Sequence, residues 1–349
     1  PLSLFNAMEP PLKIAVIGAG FWSQFQIPAW LELSNVECVA VCDINADKAK
    51  ALAERFGVPR HFHDPEELLR VVRPDLLDVI TSPETHRDMV ALAARHRIPV
   101  ICQKPLANDL ETAREMVKIC REANVPLFVH ENWRWQRPLR EVKSALDSGV
   151  IGKPFRARVD FSSSFPVFDN QPFLRELEQF ILSDMGVHIL DVIRFLFGEA
   201  DWLIAHVQRI NPSIKGEDVA TVLLRMRNDI TVISSFSYAS RLERERFPEA
   251  FIVVEGDRGS IELAPDFWIR VTDAEGTKSR RCPPRMYSWA DPSYLLIHSS
   301  IVDCHQNSID GLLGKGKAET TGEDNLRSLE LVFGAYESAR LGQPFKVKA

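Results

Sequence analysis

The feature that most constrains this chain is a rhythm beginning at Lys13. Short apolar runs alternate with amphipathic stretches ten to fifteen residues long, and the first run, Ile14-Ala15-Val16-Ile17, leads directly into Gly18-Ala19-Gly20. Strands separated by helix-length segments build βαβ units and a parallel sheet. The pattern predicts strands at Lys13–Ile17, Val36–Cys42, Leu77–Thr81, Val100–Cys102 and Pro126–Val129. Helices are predicted near Trp22–Leu33, Ala46–Phe56, Pro65–Val72, Thr85–His96 and Leu110–Ala123, several opened by Asp, Ser or Thr suited to an N-cap. This half reads as a doubly wound parallel sheet of the Rossmann type, over residues 11–132.

Past Trp135 the rhythm changes. One helix is predicted near Leu139–Ser148, then strands at Phe155–Phe161, Val219–Met226, Thr231–Ser237, Phe251–Glu255 and Ser260–Leu263, several alternating with period two. The later strands follow one another through turn signals such as Asn228-Asp229, which favours a largely antiparallel sheet with one open face. A helix over Leu182–Phe197 interrupts them, Ala274–Asp291 reads as a long loop, and Glu323–Leu341 reads as an amphipathic closing helix expected to pack back on the first domain. Residues 133–349 thus read as a second α/β domain.

Charge and cysteine content narrow the partners. With 42 Lys plus Arg against 48 Asp plus Glu among 349 residues, no basic field exists for nucleic acid or anionic lipid, and small molecules are the expected ligands. No apolar stretch approaches membrane-spanning length. The six cysteines are scattered without CxxC spacing, which suits a reducing cytoplasm. Pro1–Pro11 lack the basic start and apolar run of a signal peptide, and Met8 is a natural starting point. His61-Phe62-His63 would put two imidazoles on one face of a strand, but no third ligand cluster accompanies them, so no metal is expected and a surface strand edge is the better reading.

The glycine loop meets the context its chemistry requires. Gly18 permits the tight turn after a strand, the missing Cβ of Gly20 lets a pyrophosphate approach, and the next helix turns its N-terminal N–H groups toward it. Asp43 ends the second strand, where a carboxylate accepts from ribose hydroxyls and repels a 2′-phosphate. Ile44-Asn45-Ala46 follows without an arginine, so NAD is favoured over NADP. After the strand Val100–Cys102 stands Gln103-Lys104-Pro105, in the crevice at the carboxyl ends of the strands. A lysine there can stabilise negative charge on a substrate oxygen. Asp184 and His188 are four apart on one helical face, with Asp191 three further on, so the carboxylate can orient an imidazole that accepts a hydroxyl proton. On spacing alone, an N-cap aspartate and a packed histidine remain the alternative. Trp133, Arg134 and Trp135 beside Glu131 and Asn132 could offer a sugar-stacking platform, with core packing claiming at least one tryptophan. Arg241, Arg244 and Arg246, mixed with Glu243 and Glu245, read as a solvated loop.

Gly18-Ala19-Gly20, Asp43, Thr81-Ser82-Pro83-Glu84-Thr85-His86, Gln103-Lys104-Pro105 and Asp184-Met185-Gly186-Val187-His188-Ile189-Leu190-Asp191 occur in this order. In that combination the chain resembles the glucose-fructose oxidoreductase and inositol dehydrogenase family over nearly its whole length. The resemblance implies Lys104, Asp184 and His188 as catalytic residues, with Lys104, Asn132, Arg134, Asp184 and His188 on the substrate side. It extends the cofactor contacts from Gly18, Gly20 and Asp43 to Phe21, Trp22, Ser82, His86, Gln103 and Lys104. The activity implied is NAD-dependent oxidation of a sugar or polyol hydroxyl, with an aldose oxidised at its anomeric carbon, such as the branched pentose apiose, in first place. A nucleotide-sugar or inositol dehydrogenase, or a non-catalytic NAD-binding regulator, are the alternatives, and a homodimer or homotetramer is the expected assembly. Two departures stand out: Gln103 replaces the family's glutamate, and Phe180-Ile181-Leu182-Ser183 replaces its glycine-rich approach to the aspartate.

Overall fold

A computed structural model describes residues 10–348; Met8 lies outside the described residues. The chain divides into two compact units, one running to His130 and including His305–Gly322, the other comprising Glu131–Cys304 and the segment from Glu323 onward.

The first unit holds strands β1 (Leu12–Ile17), β2 (Val36–Cys42), β3 (His61–Phe62), β4 (Leu76–Val79), β5 (Val100–Gln103) and β6 (Leu127–His130). They form one parallel sheet in the order β3-β2-β1-β4-β5-β6, the doubly wound arrangement whose strand order reverses at β1 and β4. Strands β4, β5 and β6 are buried at every position, as strands covered on both faces must be. Helices α1 (Ser23–Leu31), α2 (Ala46–Phe56), α3 (Pro65–Val72), α4 (Pro83–Arg95) and α5 (Leu110–Ala123) connect them. Their starts are chemically marked. Asn45, Asp64 and Asp109 cap α2, α3 and α5 by accepting backbone N–H bonds, and Gly57 and Asn124 end α2 and α5 in the left-handed conformation. Beside β6, Thr320 accepts from the Val129 N–H at 2.7 Å. The two-residue β3 carries His61 at the sheet edge, as the sequence indicates.

The second unit is organised by a nine-stranded sheet. Strands β7 (Pro154–Ser162), β8 (Ala200–Gln208), β9 (Val219–Met226), β10 (Thr231–Ser237), β11 (Phe251–Gly256), β12 (Gly259–Ala264), β13 (Trp268–Asp273), β14 (Gly276–Arg281) and β15 (Phe345–Lys346) lie in the order β14-β13-β12-β11-β7-β10-β9-β8-β15. All neighbours are antiparallel except β7 and β10. One face is a core of Ala157, Val159, Phe161, Val222, Leu224, Val232, Ile252 and Ile261, all buried, against which α6 (Arg137–Asp147) and α8 (Val187–Phe197) pack. The short helix α7 (Val167–Asn170) precedes α8, and α9 (Leu295–Leu312) and α10 (Gly322–Leu341) close the chain.

The structure departs from the sequence reading at four points. The stretch read as one long loop contains β14, whose six residues are all exposed and pair with β13 at the sheet edge. Charged edge strands show no buried period, so only pairing reveals them. Helix α9 and strand β8 were not expected either; α9 buries His298, Ser299, Ser300 and His305, polar residues that blur an apolar stripe. The predicted helix Leu182–Phe197 is a π-turn over Leu182–Gly186 followed by α8. The closing helix belongs to the second unit, where Asp324 pairs with Arg194, Ser328 donates to Asp191, and Tyr336 reaches Glu217.

Candidate active site

In the first unit the loop after β1 has the geometry of a phosphate cradle. Gly18 has φ +109°, and a Cβ there would stand 2.5 Å from the Ile80 carbonyl oxygen, so glycine is obligatory. A Cβ on Gly20 would meet nothing within 4 Å, which leaves its backbone open to a ligand at the start of α1. Ser23, in the third position of the glycine pattern, is fully buried and donates to the Gly20 carbonyl at 2.8 Å. Phe21, Trp22 and Phe25 form an edge-to-face cluster beside the loop. Asp43 ties the loop to the next turn: Oδ2 accepts from the Ala19 N–H and Oδ1 from the Asn45 N–H, both at 2.8 Å. A carboxylate has about four acceptor positions, so two such bonds leave capacity for ribose hydroxyls. Helix capping falls to Asn45 instead, which accepts from Asp47 and Lys48.

The segment around Lys104 is held from below. His86 is fully buried at the start of α4, with Nδ1 3.1 Å from the Pro105 carbonyl and 3.2 Å from that of Leu106, and Nε2 3.1 Å from the Thr81 carbonyl. Burial lowers its pKa, and the ring stands between the loop after β4 and the turn after β5 with carbonyl oxygens beside both nitrogens. Ser82 starts α4 with extended backbone, its carbonyl accepting from the Thr85 hydroxyl at 2.9 Å. Gln103 turns Oε1 back to the Lys104 N–H at 2.8 Å. The amide thus supports the lysine's backbone where a glutamate would have placed a charge.

In the second unit the histidine is the most constrained residue. His188 Nδ1 lies 2.6 Å from Glu131 Oε1, and both side chains are buried. The Trp133 indole stacks on the imidazole at 4.9 Å between centroids and 18° between planes. Asp184 Oδ2 accepts from the Tyr238 hydroxyl at 3.3 Å, and burial together with Asp184 raises the Tyr238 pKa well above its usual value. The sequence reading gave Asp184 the option of steering the imidazole; the carboxylate bonded to Nδ1 is Glu131.

The residues expected to face substrate around Asn132 are deeply set. Asn132 donates to Ser300 at 2.8 Å and to the Ile297 carbonyl at 3.1 Å. Arg134 is 5 % exposed, pairs with both Asp191 oxygens at 2.8 and 2.6 Å, and reaches Asp324 at 3.0 Å. That fork-to-fork pair clamps α8 one turn beyond His188. Trp133 is 1 % exposed and Trp135 lies under the Arg140 guanidinium at 4.3 Å, so these tryptophans are packing residues rather than an open stacking platform. Where the family's glycine-rich stretch is replaced, Phe180, Ile181 and Leu182 are buried. Glu217 accepts from the Phe180 and Leu182 N–H groups at 3.2 Å and from the Tyr336 hydroxyl at 2.7 Å. Tyr336 in turn accepts from the Ser183 N–H at 3.1 Å, so a carboxylate and a phenol anchor the turn leading to Asp184. Glu217 does not stand out in the sequence, and Glu131 does so only as a neighbour of the Trp133–Trp135 segment, not as a partner of His188. For Glu131, the signal available was a carboxylate directly after the strand Leu127-Phe128-Val129-His130.

A strand–glycine turn–helix with an obligatory Gly18, an open Gly20 and a carboxylate directly after β2 is the arrangement of an NAD-binding oxidoreductase of the Rossmann class. Residues 12–131 match the oxidoreductase family with an NAD-binding Rossmann fold, and residues 139–262 match the GFO/IDH/MocA C-terminal domain. The chain belongs to the GFO/IDH/MocA oxidoreductase family. It is 41% identical to a D-apiose dehydrogenase of Rhizobium rhizogenes over 338 residues, covering 97% of this chain and 98% of the relative. It is also 41% identical to a D-apiose dehydrogenase of Paraburkholderia graminis over 97% of this chain and 90% of the relative. Among solved structures, an oxidoreductase from Agrobacterium radiobacter in complex with NAD+, L-tartaric acid and magnesium superposes with a TM-score of 0.94. The identity there is 41%, over 96% of this chain and 98% of that one.

Proposed function

We propose that this oxidoreductase oxidises a hydroxyl of a free sugar, an aldose of the apiose type at its anomeric carbon, with release of a lactone. The observation that carries the reading is 41% identity to two D-apiose dehydrogenases along almost the entire chain. Bound NAD supplies the hydride acceptor. The chain's own residues then have separable tasks. His188, bonded through Nδ1 to Glu131, keeps Nε2 to accept the hydroxyl proton. The Lys104 ammonium stabilises the oxygen as charge develops on it. Asp184 binds a neighbouring hydroxyl. A nucleotide-sugar substrate would need cations for its phosphates, and Arg134 is committed to Asp191 and Asp324. A regulator without chemistry would have no use for an imidazole so tightly oriented.

The same reading extends to assembly and compartment. Strand register puts Trp202, Ile204, Leu223, Ile233, Phe251, Val253 and Trp268 on the sheet face opposite the core, where each is partly or fully exposed. A second copy covering that face would give a homodimer or homotetramer. All six cysteines are buried, which suits a reducing cytoplasm. Among the described residues no helix is long and apolar enough to cross a membrane.

Nicotinamide absorbance of the purified protein with NAD, screened against aldoses, ketoses, polyols and nucleotide sugars, tests the activity. Turnover highest on apiose-type aldoses is expected. Preference for a nucleotide sugar or a polyol, or no turnover on any of them, would overturn it.

A further inference from the structure

His188 has a buried carboxylate partner that lies 57 positions away in sequence and on a different element. Glu131 is fully buried directly after β6, and its Oε1 also lies 3.3 Å from the Trp133 N–H, so the backbone of the turn Trp133–Trp135 fixes the carboxylate. The Trp133 ring from the same turn covers the imidazole. One residue further, Arg134 grips Asp191, three positions after His188. Three residues of this short segment, Glu131, Trp133 and Arg134, thus bind the histidine and the helix that carries it. A carboxylate at 2.6 Å from Nδ1 does two things in general: it keeps the proton on Nδ1, and it stabilises the imidazolium that forms when Nε2 takes a proton.

We propose that Glu131 is the positioning residue of the catalytic base: it fixes the His188 tautomer with Nε2 facing the reacting hydroxyl and supplies the negative charge that stabilises the protonated ring. It touches neither substrate nor cofactor and acts only through His188. Asp184, which the helical spacing suggested for this task, is left to hold the Tyr238 hydroxyl and a substrate hydroxyl. The inference rests on His188 being the base.

The primary test needs no activity. In wild-type protein without cofactor, 15N-labelled histidine resonances assigned by comparison with His188→Ala should show Nδ1 protonated throughout and Nε2 titrating. In Glu131→Gln, which keeps shape and loses charge, the His188 titration should move down by about one unit or more. An Nε2-protonated neutral ring in the wild type, or a titration unmoved in Glu131→Gln, overturns the proposal. Kinetically, Glu131→Gln should lower kcat roughly tenfold to a hundredfold with KM nearly constant, and move the acidic limb of the kcat/KM profile down with the ring. Because the two residues act as one unit, Glu131→Gln should cost nothing further in a His188→Ala background. Additive losses there would overturn the inference while leaving His188 as base. Full turnover in His188→Ala alone would overturn the base assignment itself.

Discussion

Asp78 sits in the middle of β4 with no exposed surface, an acid where the strand otherwise reads as core. Its Oδ2 accepts from the Trp30 indole N–H at 2.8 Å, while Oδ1 has no hydrogen-bond partner. Burial pushes its carboxyl up to about 7, against an ordinary 3.8. In energy the shift is on the order of 4 kcal/mol, at about 1.36 kcal/mol per unit. The sign follows from linkage: the folded state binds the proton more tightly than the unfolded chain. The stabilisation is complete below pH 3.8 and is lost as pH rises through about 7. Asp78→Asn keeps the acceptor for Trp30 and removes the titration. Its new N–H₂ group lacks a partner, which costs about 1–3 kcal/mol at every pH and shifts the curve without tilting it. Relative to wild type, the variant should therefore gain on the order of 4 kcal/mol in unfolding free energy between pH 4 and pH 8. His130, held down to about 4 by burial, loses stability in the opposite direction as pH falls, but it is common to both proteins and cancels in the difference. Urea unfolding of both proteins at half-unit pH steps measures the gain. Parallel curves would refute the reasoning, because a buried carboxyl that costs nothing to ionise would have to be solvated or paired.

Further expectations follow from the two sites. Gly18→Ala should abolish NAD binding in titrations followed by nicotinamide fluorescence, since its Cβ would stand 2.5 Å from a backbone carbonyl oxygen; a variant binding NAD normally would show that the loop can move. Asp43→Ala with Ile44→Arg should weaken NAD and improve NADP binding, as the ribose contact is lost and a phosphate partner gained; unchanged preference would remove Asp43 from that role. Lys104→Met should cut turnover about a hundredfold, on the order of 3 kcal/mol in the transition state, with little change in melting temperature. A parallel fall in stability and NAD affinity, at constant activity per folded molecule, would make the lysine structural.

Much of this protein was legible in the sequence because the relevant physics is local. The parallel sheet follows from apolar runs alternating with amphipathic stretches, and the cofactor loop from Gly18 and Gly20 placed between a strand and a helix, with Asp43 ending the next strand. Steric freedom at two glycines and one short-range register suffice for that. The period of two likewise exposed β7, β9, β10 and β11. What the tertiary structure decided depends on long loop closures that no periodicity encodes. Glu131 meets His188, Arg134 meets Asp191, and Glu217 meets Tyr336 across sequence separations of 57, 57 and 119. Spacing of four along a helix made Asp184 look like the imidazole's partner, because a helical face brings residues near one another whatever the rest of the fold supplies. The fold supplied a buried carboxylate, Glu131, 2.6 Å from Nδ1. In the same way Arg134 and Trp133 looked like substrate contacts for their chemistry. Burial sets them against the helix and the imidazole, because a guanidinium and an indole enter a core only where acceptors and flat partners already wait for them.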